Sequence, residues 1–410
     1  MRCCVSLLLI LCLFLPTTPT VAQGEELLRF EPTPKLTIYR SKHYRIHTNL
    51  SQQETVPFGR HMDALFEQYD KRFRGLGGKQ AEPMPLYLLQ TEQQYNRFLQ
   101  EHDIDATHSG GIFFVTHTIQ GLATWADSRS RRQTFEVLQH EGFHQFAWHT
   151  IGSGLPIWLN EGLAQYFEHA VIDDDGRMSL GLTSRARIER VKTAISKGDT
   201  LPIATLMRVT SKQWSNVLRN SPDRANLLYA QSWSWTYFLI HSNNGKYQPK
   251  LIDYLKRLGE GEHPSDAMLM AFGKDGLTSL TEGWQRYAMS QQADDVTEAI
   301  DRLKFLGTGL GLLANQDQPM PTDFDTLRDT LQRNGFRLRR IEMGIARNLS
   351  AKNNEMFRYN RDNGVRDFVL LSPNQSGLPP RITAPGLDPE PTLVWYRDGD
   401  GKLVQDIVYD

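Results

Sequence analysis

The chain has 410 residues, with 46 Lys and Arg against 47 Asp and Glu spread along its length. That near-neutral balance without a basic cluster points away from nucleic acid or an anionic membrane as the main partner, and the length allows two or three packed domains. The only cysteines, Cys3, Cys4 and Cys12, lie near the amino terminus, so neither a disulfide framework nor a thiolate metal site is expected in the rest of the chain.

In chain order, residues 1–22 read as a secretory signal peptide. Arg2 precedes an apolar run that breaks at Pro16, and small residues follow around Thr20-Val21-Ala22. The run is shorter than the roughly 20 residues a membrane helix needs, and no later segment replaces it. Cys12 lies inside the run, not after it, so a lipid anchor is not expected. The processed protein is expected to be secreted or periplasmic, with no membrane span.

Residues 36–126 alternate strand and helix patterns and are expected to form an α/β lobe. "YRIHTNL" (44–50) reads as a strand, 54–73 as a helix, "MPLYLL" (84–89) as a strand, and Thr91 as the cap of a helix running to about residue 99. "GGIFFVT" (110–116) and "GLATWA" (121–126) form a further strand pair. Residues 127–299 turn helical, with helices expected at 132–150, 156–170, 184–196, 226–242, 249–259 and 279–291. Residues 300–410 are expected to be a separate small α+β domain, to which the sequence assigns no role. It has a helix at 323–334, strands in "FRLRRIEMG" and "DFVLLS", and a hairpin turning at Asp398-Gly399-Asp400-Gly401.

The stretch "LQHEGFHQF" (138–146) carries the chemistry. On a helix, His140 and His144 lie one turn apart on the same face and can direct their imidazoles at one point, while Glu141 is rotated by about 100° toward the open side of a bound metal. A catalytic zinc needs a third protein ligand and one open position. Past a Gly-rich reversal at 151–155, the helix "PIWLNEGLAQYFEHA" offers Glu161, which completes a His2Glu set for Zn2+. Two histidines satisfied inside a core helix is the competing account, but it leaves the carboxylates Glu141 and Glu161 in apolar helices without a reason.

Asn160 and Glu168 are candidates to hold the imidazole N–H groups. His149 and His169 fit surface or supporting positions better than ligand positions, and Trp233, Trp235, Tyr237 and Phe238 fit the core. Gly142, inside the motif helix, costs about 1 kcal/mol of helix propensity relative to Ala. It either makes room for a neighbour or has no structural reason.

"TFEVLQHEGFHQF" followed by "LPIWLNEGLAQYFE" resembles the gluzincin metallopeptidases, in the peptidase MA-like branch, together with a related secreted bacterial family of unknown function. The resemblance runs more weakly through "YRIHTNL", "SGGIFF" and "LLYAQSWSWTYFLI", covering about 36–292. It implies a thermolysin-like catalytic unit, zinc on His140, His144 and Glu161, Glu141 as general base and acid, and Tyr229 as a donor to the oxyanion. It also implies that "SGGIFF" is the edge strand on which an extended peptide is laid, with His108 and His117 flanking it. The Gly-x-Met-x-Asn signature of the aminopeptidase branch is absent, which argues for an endopeptidase. The expected function is therefore a zinc metallopeptidase acting on peptide or protein substrates by Glu-assisted attack of zinc-bound water. The alternatives are a non-catalytic gluzincin-like module binding a peptide or surface, and hydrolysis of another amide or ester.

Overall fold

The computed structural model describes residues 34–73, 76, 82–105, 109–172, 177–273, 276–361 and 363–409, so the expected leader at 1–22 lies outside the described residues. The fold is mixed α+β. A five-stranded sheet is built from β1 (Thr37–Arg40), β2 (Tyr44–Thr48), β3 (Met84–Leu89), β4 (Gly111–Val115) and β5 (Gln120–Trp125), in the order β1-β2-β3-β5-β4. The central strands β2, β3 and β5 are mutually parallel, and the flanking β1 and β4 are antiparallel to their neighbours. The unbroken apolar run of β3 follows from its place at the centre, where both faces are covered. Leu86 and Leu88 join the core under α1 (Gln52–Arg72), whereas Leu89 joins a smaller core under α2 (Glu92–Glu101).

Both helices start on reciprocal caps, Ser51 with Glu54 and Thr91 with Gln94. After β5 the chain becomes helical, through α3 (Arg131–Thr150), α4 (Ile157–Glu168), a short hairpin of β6 (Val171–Ile172) and β7 (Met178–Ser179), α5 (Arg185–Lys197), α6 (Ile203–Leu206), α7 (Ser211–Asn220), α8 (Pro222–His241), α9 (Gln248–Gly259), α10 (Pro264–Phe272) and α11 (Gly276–Ser290). Helices α6, α7 and α10 are short and were not expected from the sequence. No helix among the described residues is long and apolar enough to cross a membrane.

Helix α3 lies against α1, against the β4–β5 edge and against α4, and it is buried on all sides from Glu136 to Ala147. Gly142 faces α1, where an added Cβ would come 3.0 Å from the Met62 methyl and 3.6 Å from Leu65. Gly162 of α4 faces α8, and there a Cβ would come 2.5 Å from the Ser232 carbonyl oxygen and closer still to the Thr236 hydroxyl. The α4–α8 crossing is thus set by a backbone contact that only glycine permits.

The remaining chain forms a second body with its own core. It contains α12 (Asp295–Asn315), α13 (Phe324–Arg333), the hairpin of β8 (Arg337–Glu342) and β9 (Ile345–Ser350), and the hairpin of β10 (Arg358–Arg361) and β11 (Gly364–Asp367). An antiparallel sheet of β12 (Val369–Leu371), β13 (Arg381–Thr383), β14 (Pro391–Arg397) and β15 (Leu403–Tyr409) completes it. The expected boundary between residues 299 and 300 is corrected here. It falls inside α12, whose Val296, Ala299, Ile300 and Leu303 all pack in this second core, so the junction precedes Asp295.

This body docks on the start of α3. Asp406 of β15 is buried and accepts from the Arg132 backbone N–H at 3.3 Å, and the Tyr396 hydroxyl donates to the Arg129 carbonyl at 3.2 Å. Helix α3 has no acidic residue in its first turn and begins Arg131-Arg132. Asp406 therefore supplies from another domain the negative charge that a helix amino terminus favours.

Two measurements check these contacts. Chemical denaturation should show that Gly162→Ala costs about 1–3 kcal/mol by overpacking against backbone, while Gly142→Ala, which meets only the end of a flexible side chain, stays within about 1 kcal/mol of wild type. Equal losses would contradict the α4–α8 contact. Asp406→Ala should cost about 1 kcal/mol at low salt, with Asp406→Asn costing less.

Candidate metal centre

Helices α3 and α4, linked by the turn at Gly152–Gly154, bring His140, His144 and Glu161 together as the sequence implies. One ligand atom from each lies within 4.8 Å of the others, and all three residues are buried. His140 Nε2 is 3.4 Å and His144 Nε2 is 3.8 Å from Glu161 Oε2. These two nitrogens and both Glu161 carboxylate oxygens have no hydrogen-bond partner. Four buried polar atoms turned toward one point with no donor between them form a set that a cation would satisfy. Two imidazoles and a carboxylate suit zinc.

The far side of each imidazole is held. His144 Nδ1 lies 2.9 Å from Asn160 Oδ1, the residue just before Glu161, so the amide oxygen takes the Nδ1 proton and leaves the Nε2 lone pair facing the cluster. Burial, joined by the neighbouring His140 charge, pushes His144 well below its ordinary pKa, which keeps it neutral as a ligand must be. His140 Nδ1 lies 3.1 Å from Glu168 Oε2, and Glu168 Oε1 accepts from Arg187 at 3.0 Å. The second Arg187 nitrogen donates to the Gln165 carbonyl at 3.2 Å, which anchors the guanidinium on α4 itself.

Protonation follows from this excess of acid. Burial raises the carboxyls of Glu141, to about 7, and of Glu161. For His140 burial acts downward, but the adjacent Glu161 and Glu168 carboxylates overcome it and hold the imidazole up at about 10. Burial also acts upward on Glu168, yet Arg187 and His140 hold it well below its ordinary value.

Glu141 sits beside the cluster with one oxygen 2.8 Å from the Phe113 backbone N–H and the other without a partner. Phe113 is on β4, the outer strand of the sheet, and its amide is turned to Glu141. The strand named from the sequence as a substrate edge therefore runs directly past the expected general base. Gln139 and Gln145 fix α3 to its surroundings. Gln139 donates to the Phe167 and Ala170 carbonyls at the end of α4, and Gln145 donates to the Pro85 carbonyl in β3.

Tyr229 is buried on α8, with its ring edge-on to Trp214 at 5.2 Å, one turn from the Ser232 that meets Gly162. His149 is exposed, as is His117 in the β4–β5 turn, while His108 lies outside the described residues. His169 ends α4 and is pushed down to about 4 by burial and the Arg187 charge. Trp233, Trp235 and Phe238 are core residues. Sequence reasoning did not find Arg187 or the Phe113 amide. Arg187 shares a helical stripe with Val191 and Ala194, and a charge inside an apolar stripe was the available signal. A backbone amide leaves no trace in residue type.

A family model described as "Protein of unknown function (DUF1570)" matches residues 135–263, from the first half of α3 through α9, so this stretch of the chain is similar to that family. No curated protein matches the chain.

The Arg187–Glu168 pair yields a prediction. Arg187→Leu leaves Glu168 buried without its cation and should cost about 3–5 kcal/mol in denaturation, partly recovered in the Arg187→Leu/Glu168→Gln double variant. Because the Glu168 pKa is depressed in the folded state, the stability it contributes is present above its ordinary value of 4.5 and lost as pH falls below it. That acid-side loss should shrink in the double variant.

Proposed function

We propose that the protein is a zinc metallopeptidase-like hydrolase of the gluzincin type, acting on peptide or protein substrates outside the cytoplasm. The observation that carries this reading is the convergence of His140, His144 and Glu161 beside a separately held, buried Glu141. The leader-like amino terminus supports the location. A parallel-centred sheet with an antiparallel outer strand, laid along the motif helix, supports a thermolysin-like arrangement.

His140, His144 and Glu161 would hold the zinc, with Asn160 and Glu168 fixing the two imidazoles. When bound, zinc supplies positive charge that acidifies water and polarises the scissile carbonyl. Glu141 then does the proton work. Its carboxylate would take a proton from the attacking water and return it to the leaving amine. The Phe113 amide orients Glu141 through one oxygen and leaves the other for the water. The outer edge of β4 receives the substrate backbone, so that the peptide passes Glu141 in an extended form. Tyr229 is the proposed donor to the oxyanion.

Metal analysis and proteolysis test this together. Wild type should carry one zinc and His144→Ala none. Glu141→Gln should keep zinc while cleavage of a denatured-protein library falls by about 10²- to 10⁴-fold. A wild type without stoichiometric zinc would overturn the metal centre. Zinc without Glu141-dependent cleavage of any library member would overturn the peptidase.

A further inference from the structure

A cavity of about 190 Å3 opens where the helical region meets the second body, well apart in sequence from the metal residues. Its walls come from α5, from α12, and from the β8–β9 hairpin with the turn that follows it. Four guanidiniums and four carboxylates line it, so it is formally neutral, but the charges are not matched one to one.

Glu298 takes both Arg185 and Arg302, the latter at 3.1 Å. Glu342 takes both Arg340, at 3.2 Å, and Arg347, at 3.4 Å. Two carboxylates thus hold all four guanidiniums, each of which has five N–H donors to place. The other two acids in the lining, Asp301, which is half-buried, and Glu355, which is exposed, have no ion-pair partner among the described residues. Burial pushes the Asp301 carboxyl up, opposed by Lys304, Arg340 and Arg347, none of which comes within ion-pair distance of it. The cavity therefore has unused donors on one set of side chains and unpartnered carboxylates on another.

A bare oxyanion would satisfy the guanidiniums and leave the half-buried Asp301 without an ion pair. A bare cation would do the reverse. A ligand carrying both charges satisfies both sets and adds no net charge to a neutral site. We propose that this cavity binds a small zwitterion, a free α-amino acid or short peptide, with its carboxylate on Arg340 and Arg347 and its ammonium at Asp301 and Glu355. The volume suits an amino acid or dipeptide and excludes a folded segment. This inference does not depend on the zinc chemistry.

The test uses the whole processed chain, in thermal unfolding and calorimetric titration. The probes are glycine, L-alanine, L-glutamate and Gly-Gly, with their N-acetylated and amidated forms, and inorganic phosphate at matched ionic strength. At least one zwitterion should raise Tm saturably and bind at least tenfold more tightly than either of its blocked forms. That binding should be lost in Arg340→Ala/Arg347→Ala and in Asp301→Asn, the second variant serving if the first does not fold. The proposal is overturned if no zwitterion binds, if the blocked forms bind equally, if both variants bind like wild type, or if phosphate binds and the zwitterions do not.

Discussion

Three carboxylates, Glu141, Glu161 and Glu168, are buried around two imidazoles with one guanidinium, Arg187, to balance them. Isolated charges in such a setting would neutralise or disrupt the packing. The surrounding structure answers this excess piece by piece. Arg187 takes Glu168, the Phe113 amide takes half of Glu141, and what remains faces the point where the free lone pairs of His140 and His144 meet. The geometry of α3 against α4, the glycine contact that sets α4 on α8, and the position of β4 all serve to hold this imbalance in place.

Much of this was legible because it was written in residue type and spacing. His140 and His144 four apart, Glu161 beyond a Gly-rich turn, and the caps Ser51 and Thr91 are local signals, and each corresponds to a feature of the fold. Asn160 and Glu168 were readable as partners of the imidazole N–H groups because a ligating histidine needs its other nitrogen held. Gly142 was not explained by its own helix. Its neighbours are on α1, some 80 positions away, where the ends of the Met62 and Leu65 side chains lie against it.

The largest misreading was α12. The stretch "FLGTGLGLL" has a glycine at every second position, which disfavours both a helix and any clear helical stripe. Yet a Cβ at Gly307 would collide with Gln405 and come within 2.8 Å of Leu393, and one at Gly311 would come within 3.1 Å of Trp395. Gly307 and Gly311 are where the β14–β15 hairpin lies close on the helix, and Gly309 is where Leu331 of α13 does, a tertiary demand that overrides propensity. Helix α6, a single turn at Ile203–Leu206, carries too little apolar spacing to read.

The docking of β15 on α3 also bears on the order in which the molecule is completed. Arg132 and Asp406 are 274 positions apart. A chain made from its amino terminus at roughly 5–20 residues per second exposes the histidine-bearing helix, capped locally by Ser130 and Gln133, on the order of tens of seconds before the Asp406 carboxylate exists. The helix that carries His140 and His144 is thus among the first long elements to be synthesised and among the last to gain its full set of contacts.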